Sequence, residues 1–198
     1  MIYLLVLLGC KQFIIFFATI ITVIKGVIMV SHKNIEKTLV IFKPDSVQRG
    51  VVGEILSRFE RVGLKIVGMK MISPTRDQFF QHYEEIGKMI SRRGQKAFDV
   101  TVEFMLQGPV IAMVLEGVES VELVRKMAGT TEPKSAQVGT IRGDYSHISF
   151  GYADMISKST PNLIHASGNV EEAEKEISHW FSDSELYDYP ALHEKYTR

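Results

Sequence analysis

The sequence predicts an α+β domain, with a four-stranded antiparallel sheet carrying helices on one face and further helices added. Three observations lead there. Short apolar runs rich in strand formers recur at 38–42, 64–72, 110–115 and 162–166, each bordered by Gly or Pro. The segments between them space their apolar residues helically. The resulting order, β-α-β-(αα)-β-α-β plus a closing helix, divides into two β-α-β halves, which is the ferredoxin-like βαββαβ sandwich.

Each element has its own justification. TLVIF at 38–42 is a strand stopped by Pro44, and GEILSRFE at 53–60 is a helix ending before Gly63. Leu64, Ile66 and Val67 open the second strand. Pro74 starts a helix through Tyr83, and a second helix runs over 95–106. VIAMVL at 110–115 is an uninterrupted apolar strand between Gly108-Pro109 and Gly117. Val121, Val124 and Met127 line one side of a helix over 118–127, and a long polar loop follows. The brief strand 162–166 leads to a helix over 170–181, whose buried stripe is Ala173, Ile177, Trp180 and Phe181. Asn169 caps that helix, with Glu172 placed to complete a capping box.

The 198 residues balance 23 Lys+Arg against 23 Asp+Glu, which argues against a dedicated nucleic-acid binder. The one cysteine, Cys10, excludes an internal disulfide and any Cys-based zinc site. Apolar residues are unevenly spread. Residues 1–30 hold 23 of them and only two charges, Lys11 and Lys25. That stretch is long enough to cross a bilayer, yet Lys11-Gln12 interrupt it where charge is costly. Three origins remain open for it: translation starting at Met29, a membrane anchor, or a cleaved signal. The expected organisation is therefore a hydrophobic segment 1–30, a polar linker 31–37 and a domain 38–198, cytoplasmic unless residues 1–30 anchor it to a membrane.

The usual nucleotide fingerprints, GxxxxGK(S/T) and GxGxxG after a strand, are missing, as are HExxH and clustered Cys/His. Three local features carry possible chemistry. Lys43-Pro44-Asp45 places a lysine at the end of the first strand, where a solvated strand terminus is the plainer alternative. The loop GTTEP…VGTIRGD over 129–144 has glycines, hydroxyls and Arg142 that could cradle phosphate, and it also fits a turn-rich surface loop. NLIHAS ends an apolar strand with His165, a residue mostly neutral near pH 7 and able to attack phosphorus. Glu176 flanks the buried stripe of the next helix, where it can turn back and orient that imidazole.

Taken in order, EKTLVIFKPDSVQRGVVGEILSRFERVGLKIVGMKM, QGPVIAMVLEGVESVELVRKMAGTTEP, GTIRGD and NLIHAS…EEAEKEISHWF resemble the nucleoside diphosphate kinases, over roughly residues 36–187. The resemblance implies reversible ping-pong transfer of a γ-phosphoryl group from ATP or another nucleoside triphosphate to nucleoside diphosphates. His165 matches the nucleophile; Lys43, Arg125, Thr131 and Arg142 match the phosphate-holding set, and Asn162 the sugar and phosphate contact. Tyr83 and Glu176 match neighbours of the imidazole, and Ser167 a hydroxyl beside it within the nucleotide site. It further implies Mg²⁺ carried mainly by substrate phosphates rather than by protein ligands, and a homo-oligomer, hexamer or tetramer.

The departures from the family pattern are specific. The stretch 84–104 is long and lacks the family's Pro-Phe-Phe, so Phe98 becomes the candidate to stack on the base, with Ala97 competing in alignment. Gly168 stands where an Asp is usual. Residues 145–161 are an insertion carrying His147, Tyr145, Phe150 and Tyr152, either a rim of the base pocket, a subunit contact or a solvated loop.

Overall fold

The computed structural model describes residues 34–197. The expectations for residues 1–30 and for most of the linker lie outside the described residues. Among the described residues, no helix is long and apolar enough to cross a membrane.

Strand β1 (Ile35–Phe42) begins three residues before the expected start, so Ile35 to Lys37 belong to the sheet and not to a linker. It pairs antiparallel with β3 (Val110–Val118) from Ile35↔Val118 to Phe42↔Ile111. Strand β2 (Lys65–Ile72) pairs with β3 through a bulge at Ile66/Gly68, and β4 (Ile164–Ala166) lies on the other side of β1. The order is β2-β3-β1-β4, all neighbours antiparallel.

Both faces of the sheet are covered, a difference from the one-sided packing expected. Leu39 and Ile41 pack with Phe79, Val102, Ile177 and Trp180, whereas Val40 and Phe42 pack with Phe59, Val124, Ile141 and Leu163. The reason is legible in β1 and β3: a strand buried on both faces reads as a continuous apolar run, not as an alternation. Burying each of these large side chains contributes about 1.5–3 kcal/mol.

The helices follow the predicted order with local differences. Pro44 opens a short helix α1 (Pro44–Gln48), and α2 (Val52–Arg61) buries Ile55 and Phe59. Thr75, not Pro74, caps α3 (Arg76–Phe80) by a reciprocal box with Gln78. The chain then widens into a π-helical turn, Gln81–Ile86, with Gly87 N–H on His82 O at 3.2 Å. After α4 (Met89–Arg93) and α5 (Gln95–Met105), β3 leads to α6 (Ser120–Ala128). The segment read as a long polar loop contains two short capped helices, α7 (Ile141–Tyr145, capped by Thr140) and α8 (Phe150–Met155, capped by Ser149). Asn169 caps α9 (Val170–Trp180) through Glu172 N–H, as expected.

Candidate active site

The site is built where the end of β1 meets the start of β4. Leu163 sits just before β4 in the left-handed region, at φ 71°. Such backbone costs about 1–3 kcal/mol and persists only where its surroundings hold it. Here they do. Lys43 N–H and the Ser46 hydroxyl both donate to Leu163 O, at 2.9 and 2.6 Å, while Leu163 N–H donates to the Asp45 carboxylate at 3.0 Å. The Lys43-Pro44-Asp45 turn thus fixes the twist that ends the strand at Ile164 and presents His165, which pairs with Ile41.

His165 is held through one nitrogen. Its Nε2 lies 2.9 Å from Glu176 Oε1. Burial pushes the Glu176 carboxyl up, but the His165 and His82 imidazoles and the Ser167 hydroxyl outweigh it and bring it down to about 2. An ionised carboxylate accepts only, so Nε2 carries the proton and the Nδ1 lone pair is free to react. Ser167, fully buried, donates to Glu176 Oε2 at 2.6 Å and accepts Leu39 N–H at 3.1 Å, which locks the carboxylate to β1. Its hydroxyl is therefore committed away from the cavity, and its place among the nucleotide contacts is corrected to a support of Glu176.

His82 completes the cluster and was not singled out from the sequence. It is 1% exposed, edge-on to His165 with ring centroids 4.4 Å apart. Burial, reinforced by the neighbouring His165, pulls its pKa well below the ordinary value, so it is neutral. Its Nδ1 accepts Trp180 Nε1–H at 3.2 Å. Tyr83 lies beside both imidazoles, 6.4 Å from His165 between centroids, its hydroxyl buried without a partner among the described residues. Burial pushes that phenol upward.

Next to the imidazole stands a cationic wall. Lys43 Nζ donates to Asn162 Oδ1 at 2.6 Å, and Asn162 Nδ2 donates to Thr131 O at 2.9 Å. Burial, then the Arg142 guanidinium, lowers Lys43 to about 8. Arg142, itself lowered to about 10 by burial and then by Arg125, donates to the carbonyls of Gly129, Ile164 and Asn162. Gly129 is at φ 80°, where a Cβ would strike Thr140, so the turn that meets Arg142 requires glycine. Arg125 is exposed at the cavity and reaches Ser167 O at 3.4 Å.

These groups line a cavity of about 500 Å³. Its lining brings Lys43, Arg92, Arg93, Arg125, Arg142 and Lys158 against Asp154, Glu172 and Glu176. A chain of zero net charge therefore concentrates positive charge in one concavity, the arrangement that gathers polyphosphate. His165, Lys43, Glu176, Tyr83, Arg125, Thr131, Arg142 and Asn162 all line it.

Phe98 does not. It is 4% exposed, packed in the core with Val102 and Met105 and edge-on to Phe80 at 5.8 Å. On α5 it faces the sheet, while Ala97, Val100 and Thr101 face the cavity. At Gly168 a Cβ would meet only the end of the flexible Glu172 side chain, which can swing aside, so space alone does not require glycine there. The insertion divides in the same way. Phe150, Asp154 and Lys158 to Thr160 line the cavity, the Tyr145 hydroxyl bonds Glu54, and His147 is exposed outside it. Arg92, Arg93 and Lys158 were not singled out from the sequence: the first two end a five-residue helix too short to show a periodic face, and Lys158 lies on an irregular segment.

Among the described residues, one cluster has metal-ligand spacing, His82, His165 and Glu176, within 4.8 Å. Its two imidazoles suit a transition ion better than Mg²⁺, which takes oxygen ligands, and the carboxylate is already shared between His165 and Ser167.

Comparison with known proteins shows which family the chain belongs to. A family profile described as "Nucleoside diphosphate kinase" matches residues 36–186. The nucleoside diphosphate kinase of Pyrococcus furiosus is 50% identical over 156 residues, 79% of this chain and 89% of that one. A Borrelia burgdorferi nucleoside diphosphate kinase, solved as a transition-state mimic with bound vanadate and ADP, superposes with a TM-score of 0.79 at 44% identity, covering 82% of this chain and 96% of that one. The Halobacterium salinarum enzyme in complex with CDP superposes with a TM-score of 0.70 at 38% identity, covering 82% and 98%.

Proposed function

Because this chain belongs to the nucleoside diphosphate kinase family and is a nucleotide phosphotransferase, we propose that it works by a ping-pong route through a phosphohistidine on His165. One observation carries this reading: Glu176 holds Nε2–H at 2.9 Å and leaves Nδ1 as the free nucleophile at the cavity. Nδ1 attacks the γ-phosphorus of a nucleoside triphosphate. The bond from that phosphorus to the bridging oxygen breaks, and the diphosphate leaves with the electron pair. No proton need move, since Nε2–H stays in place and Glu176 balances the charge on the ring. An acceptor diphosphate then attacks the phosphohistidine, reversing the step and restoring the imidazole.

Phosphoryl transfer asks chiefly for positioning and for neutralised oxygen charge. Lys43, Arg125 and Arg142 supply the cations, Thr131 a hydroxyl, and Asn162 orients Lys43 while facing the sugar side. Tyr83 bounds the imidazole. Mg²⁺ fits as an ion held by the phosphates, because the carboxylates Asp154 and Glu172 lie on separate elements and form no cage; when bound it neutralises phosphate oxygens. The substrates are cytoplasmic nucleoside di- and triphosphates. The exposed Met69 and Met71 on edge strand β2, 42% and 57% exposed, support a homo-oligomer, and the family resemblance its size, hexamer or tetramer.

The test is labelling with γ-phosphate-labelled ATP. The protein should form an acid-labile, base-stable phosphoprotein that GDP discharges. His165→Ala should lose the label while still binding nucleotide, because the phosphate grip resides in other side chains. Full label in His165→Ala would overturn the assignment and turn attention to His82.

A further inference from the structure

Resting on the nucleotide reading above, the geometry points to the inserted segment 145–161 as the base-binding face of the cavity: Phe150 stacks on the nucleobase, Arg93 closes over it, and Glu132 ties that face to the phosphate-holding loop. The base of a nucleotide is planar and largely apolar, and it needs a ring or an apolar wall to lie against. Among the described residues that line the cavity, only Tyr83 and Phe150 carry a phenyl ring. Tyr83 is taken up by the two imidazoles and Phe79, with its hydroxyl buried. Phe98 points into the core, and the α5 residue facing the cavity beside it, Ala97, has no ring to offer. Phe150 is the ring that remains, half-buried at the cavity, whose other apolar lining, such as Met89, Val100 and Ala128, offers no flat face.

Phe150 is also placed rather than loose. It is the first residue of α8, behind the Ser149 cap, and its N–H donates to Glu132 Oε1 at 2.8 Å. Lys134 N–H donates to Ile148 O at 3.1 Å, so the insertion is fastened twice to the segment following Thr131. The side chain of Asn162 grips the backbone of Thr131 and also contacts Lys43. A continuous set of bonds therefore joins the ring to the phosphate grip. From the opposite wall, the Arg93 guanidinium lies 5.0 Å over the Phe150 ring. A delocalised guanidinium stacks on a base as readily as on a phenyl ring, so a base entering beside Phe150 keeps Arg93 as a second flat neighbour. Stacking is tolerant of base identity because every base has a π-face, which matches an enzyme serving several nucleotides.

The experiment compares GDP with ribose 5′-diphosphate, which has the phosphates and sugar but no base, in the full chain and in Phe150→Leu and Phe150→Trp. Stacking is lost in Leu and kept in Trp. In Phe150→Leu the Kd for GDP should rise about 5-fold to 150-fold, the range base stacking spans, while that for ribose 5′-diphosphate stays unchanged. Phe150→Trp should hold GDP as tightly as the parent. Equal weakening of both ligands in Phe150→Leu would mean that Phe150 only braces the phosphate loop, and no weakening would mean that the base lies elsewhere; either result overturns the proposal. Labelling by ATP separates this from the parent reading. A labelled protein with an indifferent Phe150 loses only the base site, whereas an unlabelled protein with base-dependent binding at Phe150 loses only the phosphohistidine.

Discussion

Replacing Glu176 by Gln isolates the charge beside the nucleophile from the shape that positions it. The parent carboxylate is 2% exposed and takes Nε2–H of His165 at 2.9 Å and the Ser167 hydroxyl at 2.6 Å. A Gln of equal size can still accept from Nε2–H, and its amide can donate to Ser167, whose hydroxyl has Leu39 O within 3.5 Å as another acceptor. The imidazole therefore keeps its orientation and tautomer, and only the negative charge goes. Phosphorylating Nδ1 puts positive charge on the ring. At ~4 Å and an effective dielectric of ~20, a full charge pair is worth ~4 kcal/mol, which bounds the effect from above. The difference between a charge-assisted and a neutral hydrogen bond, ~1–2 kcal/mol, bounds it from below. With about 1.4 kcal/mol per decade, kcat should fall by about 10-fold to several hundred-fold. KM should change by less than about threefold, since the phosphate contacts are untouched. Rapid-quench measurement of phosphoenzyme formation under single-turnover conditions reads the chemical step directly. Glu176→Ala also removes the partner of His165 Nε2–H and leaves a void, so it should lose more rate and also melt lower. A Gln variant with the parent's phosphorylation rate would refute the argument and reduce Glu176 to a structural partner of Ser167.

Three further outcomes follow from the same geometry. Lys43, lowered to about 8, should lose its charge in the free enzyme within the accessible range, so kcat/KM should fall above about pH 8 while kcat at saturation falls less, because bound phosphate restores the proton; a profile flat to pH 9.5 would contradict it. The same depressed lysine gives stability a definite sign. Between about 8 and the ordinary 10.5 the unfolded chain holds a proton that the folded chain has released, so this group makes the fold gain stability as pH rises through that window. Asp45→Ala removes the acceptor of the buried Leu163 N–H, which costs about 1–3 kcal/mol and should lower Tm by about 3–10 °C. An unaltered melting curve would show that the turn does not hold Leu163.

Much of the fold was legible because burial leaves a pattern. The runs at 38–42 and 110–115 could be read as strands, but the one-sided expectation passed over their lack of alternation, which marks burial on both faces. The α9 stripe placed Glu176 at its edge correctly. Phe98 was misread for want of the same test on α5: at 100° per residue it shares a stripe with Val102 and Met105, the buried side, while Ala97 and Thr101 share another. His82 was out of reach for a different reason. The π-helical turn shifts the phase of Gln81–Ile86, so a regular 3.6-residue reading cannot bring adjacent His82 and Tyr83 both against His165. The helices inside the supposed loop did leave a trace, a hydroxyl residue before each, Thr140 and Ser149, too slight among so many Ser and Gly to stand out.

The strain at Leu163 explains why the site needs the first strand and the last one together. Left to itself, the segment before His165 would continue as strand, since Leu and Ile favour extended backbone. A straight strand would place Asn162 and His165 by the alternation of a pleat, with nothing to bring the Asn162 amide between Lys43 and Thr131. The left-handed residue breaks that alternation at one point. It frees the carbonyls of Asn162 and Ile164 to receive Arg142, at 3.3 and 2.8 Å, and turns the Asn162 amide onto Lys43 and Thr131. No local sequence preference supports φ 71° at a leucine; the hydrogen bonds from Lys43, Asp45 and Ser46 supply what the chain itself does not. Lys43 and His165, which line the same cavity, are thus both set by one interaction, the first strand's terminal turn closing on the last strand's entry.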